Sequence, residues 1–265
     1  MKFLYYPGCT LSTTAKQLDH YARQSAQALG FHLEDITDWQ CCGAVFPLGT
    51  DEVAPKLAVI RALLQAQEKN LPLVTLCAAC FHVFKQVNHQ VKTDPAFMAT
   101  VTAYDPDLQY QGDVQVLHYM EVLRDHIGFA TIKEKITAPL TGRHIGAYYG
   151  CMMLRPSQVM AFDDPENPSI FEDFLSALGA TPVVTPYRNE CCGGYRQLKD
   201  KATYMQEKIR QSAQAKGAEA LITACPLCQF SLHGDDMPVL YFTELLAQAL
   251  NIPMEISSEG GPAHG

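Results

Sequence analysis

Ten cysteines carry the chemistry open to this sequence, and they fall into two sets of five in the same order. In the first set Cys9 is separated by thirty-one residues from the vicinal pair Cys41-Cys42, which Gly43 follows, and thirty-four more residues separate that pair from Cys77-Ala78-Ala79-Cys80. In the second, thirty-nine residues separate Cys151 from Cys191-Cys192, which Gly193 follows, and thirty-two more lead to Cys225-Pro226-Leu227-Cys228. Thiols in such sets can form disulfides, hold zinc, exchange electrons as a dithiol, or ligate iron-sulfur clusters.

Disulfides suit neither a reducing compartment nor a chain of this length, and a bond between adjacent cysteines is strained. Zinc takes four tetrahedral ligands, normally from two Cys-x-x-Cys knuckles, so a zinc site leaves one thiol idle in either set. A dithiol at a helix start has its thiolate stabilised by the helix dipole. Yet Cys225-Pro226-Leu227-Cys228 alone would require neither Cys151 nor the vicinal pair. Iron-sulfur clusters use thiolates, four for an ordinary cubane. Adjacent cysteines are poorly placed to reach one metal but can reach two irons of one cluster, with Gly43 or Gly193 letting the backbone turn tightly beside it. A fifth thiol suggests a larger or more open cluster than a cubane.

The rest of the composition narrows the setting. The chain has 265 residues, 48% of them hydrophobic, which suits one large domain or two smaller ones. Its net charge is −8, and no basic run is present that could neutralise a phosphate backbone, so nucleic acid is not expected as a partner. The apolar stretch Phe3 to Tyr6 is too short for a secretory signal, and nothing approaches a membrane span. The expected location is cytoplasmic, with membrane association only through a partner.

Short apolar strands must deliver these thiols. Lys2 to Tyr6 stops at Pro7-Gly8, just before Cys9; Phe31 to Ile36 precedes Cys41; Leu73 to Leu76 delivers Cys77. Helices are expected over Thr10 to Gly30, Asp51 to Asn70 and from Cys77 onward. In the second half, strands over His144 to Tyr149, Pro182 to Thr185 and Glu219 to Thr223 alternate with helices over Ile170 to Leu178 and Asp200 to Lys216. Val114 to Leu117 followed by His118-Tyr119-Met120-Glu121 is echoed by Val239-Leu240 followed by Tyr241-Phe242-Thr243-Glu244, so the repeat reaches the last strand and helix of each half. The expected fold is α/β: two tandem pseudo-repeated domains, residues 1–138 and 143–256, each a small Rossmann-like parallel sheet flanked by helices. The sites should lie at the carboxyl ends of the strands. Lys133 to Gly142 reads as the linker and residues 257–265 as a disordered tail.

The order Cys, Cys-Cys-Gly, Cys-x-x-Cys, twice in tandem, resembles the cysteine-rich CCG-domain family, which includes the B-type component of heterodisulfide reductase and its bacterial relatives. Tyr-Pro-Gly-Cys9 and Tyr-Tyr-Gly-Cys151 with Arg155-Pro156 extend the likeness, which covers residues 1 to about 250. The resemblance implies one noncubane [4Fe-4S] cluster on Cys9, Cys41, Cys42, Cys77 and Cys80, and another on Cys151, Cys191, Cys192, Cys225 and Cys228. It implies reduction of a disulfide bound between the two clusters. The implied partners are an iron-sulfur subunit resembling the C-type component of heterodisulfide reductase, together with a flavin subunit resembling its A-type component. Relatives in lactate utilisation and in membrane dehydrogenases carry the same pattern as electron relays, which is the second function open here.

No Rossmann glycine fingerprint is present, so neither flavin nor nicotinamide is expected in this chain. His82 and His233 are candidate proton donors because histidine titrates near neutral pH, although His118, His126 and His144 are equally available. Arg155, Arg188, Arg196 and Lys199 are candidates for an anionic substrate group or for plain surface charge. Trp39 either shields the first cluster or fills core, and Met152-Met153 reads as packing.

Overall fold

The computed structural model describes residues 1–44, 53–194 and 203–254. Arg196, Lys199 and the tail 257–265 lie outside them. Two sheets of four strands each account for all the strands among the described residues, and every pairing is parallel. The mixed α/β class and the tandem repeat are as the sequence leads one to expect.

In the first half the elements run β1 (Lys2–Tyr6), α1 (Cys9–Ser12), α2 (Lys16–Leu29), β2 (His32–Asp35), α3 (Ala54–Lys69), β3 (Leu73–Thr75), α4 (Ala78–Thr93), α5 (Pro95–Tyr104) and β4 (Val116–His118). Then α6 (Tyr119–Glu121) runs into a π-helical turn, Val122–Ile127, and α7 (Phe129–Lys135) follows. The second half runs β5 (His144–Ala147), α8 (Ser157–Met160), α9 (Ile170–Ala177), β6 (Thr181–Val183), α10 (Thr203–Ala215), β7 (Ala220–Thr223), α11 (Pro226–Ser231), β8 (Val239–Tyr241) and α12 (Phe242–Ala249). The expected helix over Thr10 to Gly30 is broken in two at Thr13 to Ala15, and Gly30 ends α2 in the left-handed conformation. The expected linker is helical at its start, because α7 reaches Lys135.

Strand order is β2-β1-β3-β4 in one sheet and β6-β5-β7-β8 in the other. The chain leaves β1 toward β2, then returns past β1 to β3, so its direction reverses between β1 and β3, and likewise between β5 and β7. Open parallel sheets bind ligands at that reversal, beyond the carboxyl ends of the strands. Leu4, Tyr5, Leu73 and Val74 are fully buried in the first sheet, as Ile145, Leu221 and Ile222 are in the second. Burial of an aliphatic side chain of this kind stabilises by about 2 kcal/mol. Right-handed crossovers place α2 on one face and α3 with α4, which pack together, on the other.

The halves share a long interface. Helix α12 of the second half packs on α2 of the first, Thr243 Oγ1 donating to the Leu18 carbonyl at 3.0 Å, and α7 packs on α9. Between them lies an aromatic cluster of Phe81, His118, Tyr119, Phe162, Phe174 and Phe242. No described helix is long and apolar enough to cross a membrane.

Candidate functional site

The fold brings each set of five thiols to one place. Cys9 opens the short helix α1 just after β1, Cys41 and Cys42 lie in the segment after β2, and Cys77 caps α4, whose first turn carries Cys80. Cys9 and Cys41 sulfurs lie 3.5 Å apart, and Cys42 and Cys80 sulfurs 3.3 Å apart. All five line a cavity of about 270 Å³, closed on its far side by Pro226 and Leu227 from the other half. In the second half Cys151, Cys191, Cys192, Cys225 and Cys228 line a hollow of about 20 Å³ closed by Ala78 and Leu227. Each site is thus roofed by the first turn of the opposite Cys-x-x-Cys helix.

Glycines make the approach possible. Gly8 and Gly150 hold φ of +79° and +68°, and a Cβ on them would stand 3.1 Å from Cys80 Sγ and 3.3 Å from Cys228 Sγ respectively. Gly43 and Gly193 share a left-handed conformation, with φ of 77° and 73°. That turn aims backbone N–H groups at the vicinal thiols, Gly193 N lying 3.4 Å from Cys191 Sγ.

Two tyrosines that sequence reasoning missed back these sites. Tyr6 and Tyr148 are buried, and their hydroxyls donate at 2.7 Å to the carbonyls of Gln40 and Glu190, the residues just before each vicinal pair. Burial, then the surrounding cysteines, keep both phenols protonated. The signal was present as a tyrosine two residues before Gly-Cys in both halves. Trp39 packs edge-on against Tyr6 at 5.4 Å, behind the first site.

Thiol chemistry in these sites is crowded. Cys80 and Cys228 are pushed up, first by their hydrogen bonds with Cys42 and Cys192, then by those with Cys77 and Cys225, and then by burial. Cys42 is drawn down to about 7, mainly by its hydrogen bond with Cys80. Cys41 is pushed up to about 11 by burial. Binding all five as thiolates requires compensating positive charge at the centre. Among the described residues no three His, Cys, Asp or Glu side chains converge as ligands of a single ion, whereas a ring of thiols around a cavity suits a polynuclear group. The first site has room for one as it stands; the second must open by movement of its thiols and of Leu227, which crowds Gly194.

The other expected residues fall unevenly. His82 lines a cavity of about 590 Å³ together with Cys42, Lys56, His89 and Met152, and its Nδ1 lies 3.1 Å from the Met152 carbonyl. Burial lowers its pKa. His233 is exposed beyond the end of α11 and lines neither thiol cavity. Arg188 is buried, donates to Asn167 at 2.6 Å, and faces Glu172 at 3.3 Å in an ion pair too poorly aligned for a hydrogen bond. Arg155 is held by the Asn189 carbonyl and Glu166. Both arginines are therefore spent on architecture.

Comparison with known proteins agrees with this site. The cysteine-rich CCG domain family matches residues 3–85 and 145–233, one match over each set of thiols. The chain is 30% identical to the 8-methylmenaquinol:fumarate reductase membrane anchor subunit of Wolinella succinogenes, over 95% of this chain and 93% of that protein. It is 25% identical to a protein of Archaeoglobus profundus that is itself like the B-type component of heterodisulfide reductase, over 96% and 92% of the two chains. It is also 25% identical to the B-type component of the ferredoxin:CoB-CoM heterodisulfide reductase of Methanosarcina mazei, over 94% and 89%. A crystal structure of a hypothetical protein from Helicobacter pylori superposes with a TM-score of 0.71 at 10% identity and shares the fold; it matches 94% of this chain, which spans about half, 49%, of its length. These relatives support a cysteine-rich iron-sulfur subunit of an oxidoreductase complex. The chain belongs to the cysteine-rich CCG-domain family, with the B-type components of heterodisulfide reductases among its relatives.

Proposed function

We propose that this chain is the catalytic iron-sulfur subunit of a heterodisulfide reductase-like complex, reducing a disulfide to two thiols with electrons from partner subunits. Two [4Fe-4S] clusters of noncubane type would be held by Cys9, Cys41, Cys42, Cys77 and Cys80, and by Cys151, Cys191, Cys192, Cys225 and Cys228. Each belongs to one of two units, residues 1–138 and 143–256. A disulfide takes two electrons and a cluster delivers one at a time. The observation that carries this reading is that the two five-thiol sites adjoin, Pro226 and Leu227 lining the first and Ala78 the second.

The chain's own residues supply the remaining needs. Cys9 and Cys191 reach the surface, which leaves each site an open side. His82, which lines a cavity with Cys42, is the proton carrier for the departing thiolate at the first site, taking up a proton before passing it on. His233 would serve the second only after movement, since it faces solvent. Electron donors are partners resembling the A-type and C-type components of heterodisulfide reductase.

A second reading rests on the Wolinella relative, 30% identical: the clusters relay electrons inside a quinol-linked complex and meet no substrate. In that case the chain would reach the bilayer through a partner. Anaerobic reconstitution tests both readings. Iron and sulfide near zero would refute both; a paramagnetic signal that changes when thiol or disulfide is added supports catalysis, and one that does not change supports the relay.

A further inference from the structure

The strands β3 and β7 end side by side, so that Leu76 and Ala224, the residues just before Cys77 and Cys225, present their carbonyls at the interface between the halves. Ala78 N–H crosses that interface and donates to the Ala224 carbonyl at 2.9 Å. The mirror-image bond, from residue 226 to the Leu76 carbonyl, cannot form, because Pro226 has no N–H. Leu76 is satisfied differently. Its carbonyl accepts from His118 Nε2 at 2.7 Å and from the Tyr241 hydroxyl at 2.7 Å, and that hydroxyl also lies 3.0 Å from the Ala224 carbonyl. The tautomer of His118 follows from its other nitrogen, since Nδ1 accepts from Met120 N–H at 3.1 Å and the proton therefore sits on Nε2.

His118 and Tyr241 are both fully buried and stand at equivalent places, the last residues of β4 and β8. One carbonyl from each half is thereby clasped by groups of both halves. Directly beyond the clasp the two sites adjoin: Pro226 and Leu227 line the cavity that holds Cys77, and Ala78 lines the hollow that holds Cys225. The two sites stay adjoined only while the strand ends keep their places, and the clasp bonds those ends to one another.

We propose that His118 and Tyr241 are positioning residues whose clasp on the Leu76 and Ala224 carbonyls holds the turns that carry Cys77 and Cys225 side by side, and that this junction is the route by which an electron passes from one iron-sulfur site to the other. The inference rests on the iron-sulfur reading above. In the transfer one site is oxidised by one electron and the other reduced by the same electron, so no further reagent is involved.

The test uses the full chain, reconstituted anaerobically, as wild type, Tyr241→Phe, His118→Asn and Ala78→Pro, with iron and sulfide counted first. Ala78→Pro removes the crossing N–H at the first helical position, where proline is tolerated and where Pro226 already stands in the other half. The expected result is wild-type iron content and wild-type signals from each site, with loss of the magnetic splitting between the sites in fully reduced protein, where both carry unpaired spin. Full iron content with unchanged splitting in the variants, or no splitting in the wild type, overturns this inference alone. Iron near zero in the wild type overturns it together with the reading beneath it. Loss of iron from all three variants would make the clasp purely architectural and overturn the electron route.

Discussion

Acid should loosen this protein through His118. No water reaches the ring, and burial holds its pKa down at about 4 against an ordinary value of 6.5, the Leu76 carbonyl opposing that shift only in part. In the unfolded chain it titrates near the ordinary value. Because the folded pKa is depressed, the stability tied to the neutral ring is fully present above about 6.5 and is lost as pH falls toward 4. Linkage between these two values gives a loss of about 2 kcal/mol from about pH 7 to about pH 4.5. Glu121 runs the other way. Burial raises its carboxyl to about 7, so its contribution is present in acid and disappears as pH rises through that value. The wild-type profile alone therefore mixes two opposed slopes, and the informative quantity is the gap between wild type and His118→Asn. Asparagine still accepts from Met120 N–H as an N-cap but does not titrate. Urea unfolding of both proteins, with thiols kept reduced, should show the gap narrowing by about 2 kcal/mol between about pH 7 and about pH 4.5. A gap that stays constant across this range would refute the reasoning.

Further outcomes follow from the same packing. Gly8→Ala and Gly150→Ala place a Cβ against Cys80 and Cys228 at positive φ; each should cost about 1–2 kcal/mol by denaturant midpoint and lower iron uptake at its own site only. Tyr6→Phe and Tyr148→Phe release the carbonyl before a vicinal pair, for a loss of about 1 kcal/mol each seen in thermal unfolding. Arg188→Met strands the buried Glu172 and should cost about 3 kcal/mol, less in acid than at neutral pH, because burial already raises that carboxyl and protonation relieves it. Thr223→Val removes a fully buried hydroxyl that has no protein partner and should raise stability by up to about 1 kcal/mol, measured by the same unfolding curves.

The strand ends, the two thiol sets and the matching last strands were legible because they rest on local signals: apolar runs cut off by Pro-Gly or Gly, and cysteines at repeated offsets. Helix boundaries moved where local chemistry was mixed. Thr13 and Thr14 interrupt the apolar period after Cys9, and the π-helical turn at Val122–Ile127 has no sequence mark that separates it from α6. The two arginines near the second set looked like ligand-binding charges, yet Arg188 is buried against Glu172 and Arg155 holds backbone. Reading that correctly requires knowing what packs above them. His118 and Tyr241 illustrate the same limit. Their equivalence was visible in the repeat, but the carbonyls they bind belong to strands from both halves, and Tyr241 lies 165 residues from Leu76. Pairings of that span follow from topology, which the periodicity of single elements does not encode.

The packing of α12 against α2 has a consequence for how the molecule is made. Thr243 bonds to Leu18 across 225 residues, so during synthesis a face of α2 waits for a helix made that much later. Until then α2 exposes an apolar stripe of Leu18, Ala22 and Ala26, a surface open to chaperones and to self-association. A chain cut short before Phe242 would keep all ten cysteines yet leave that stripe bare. Cluster insertion before α12 is made would thus act on a half-closed protein, and the docking of α12 would seal both halves in a single event.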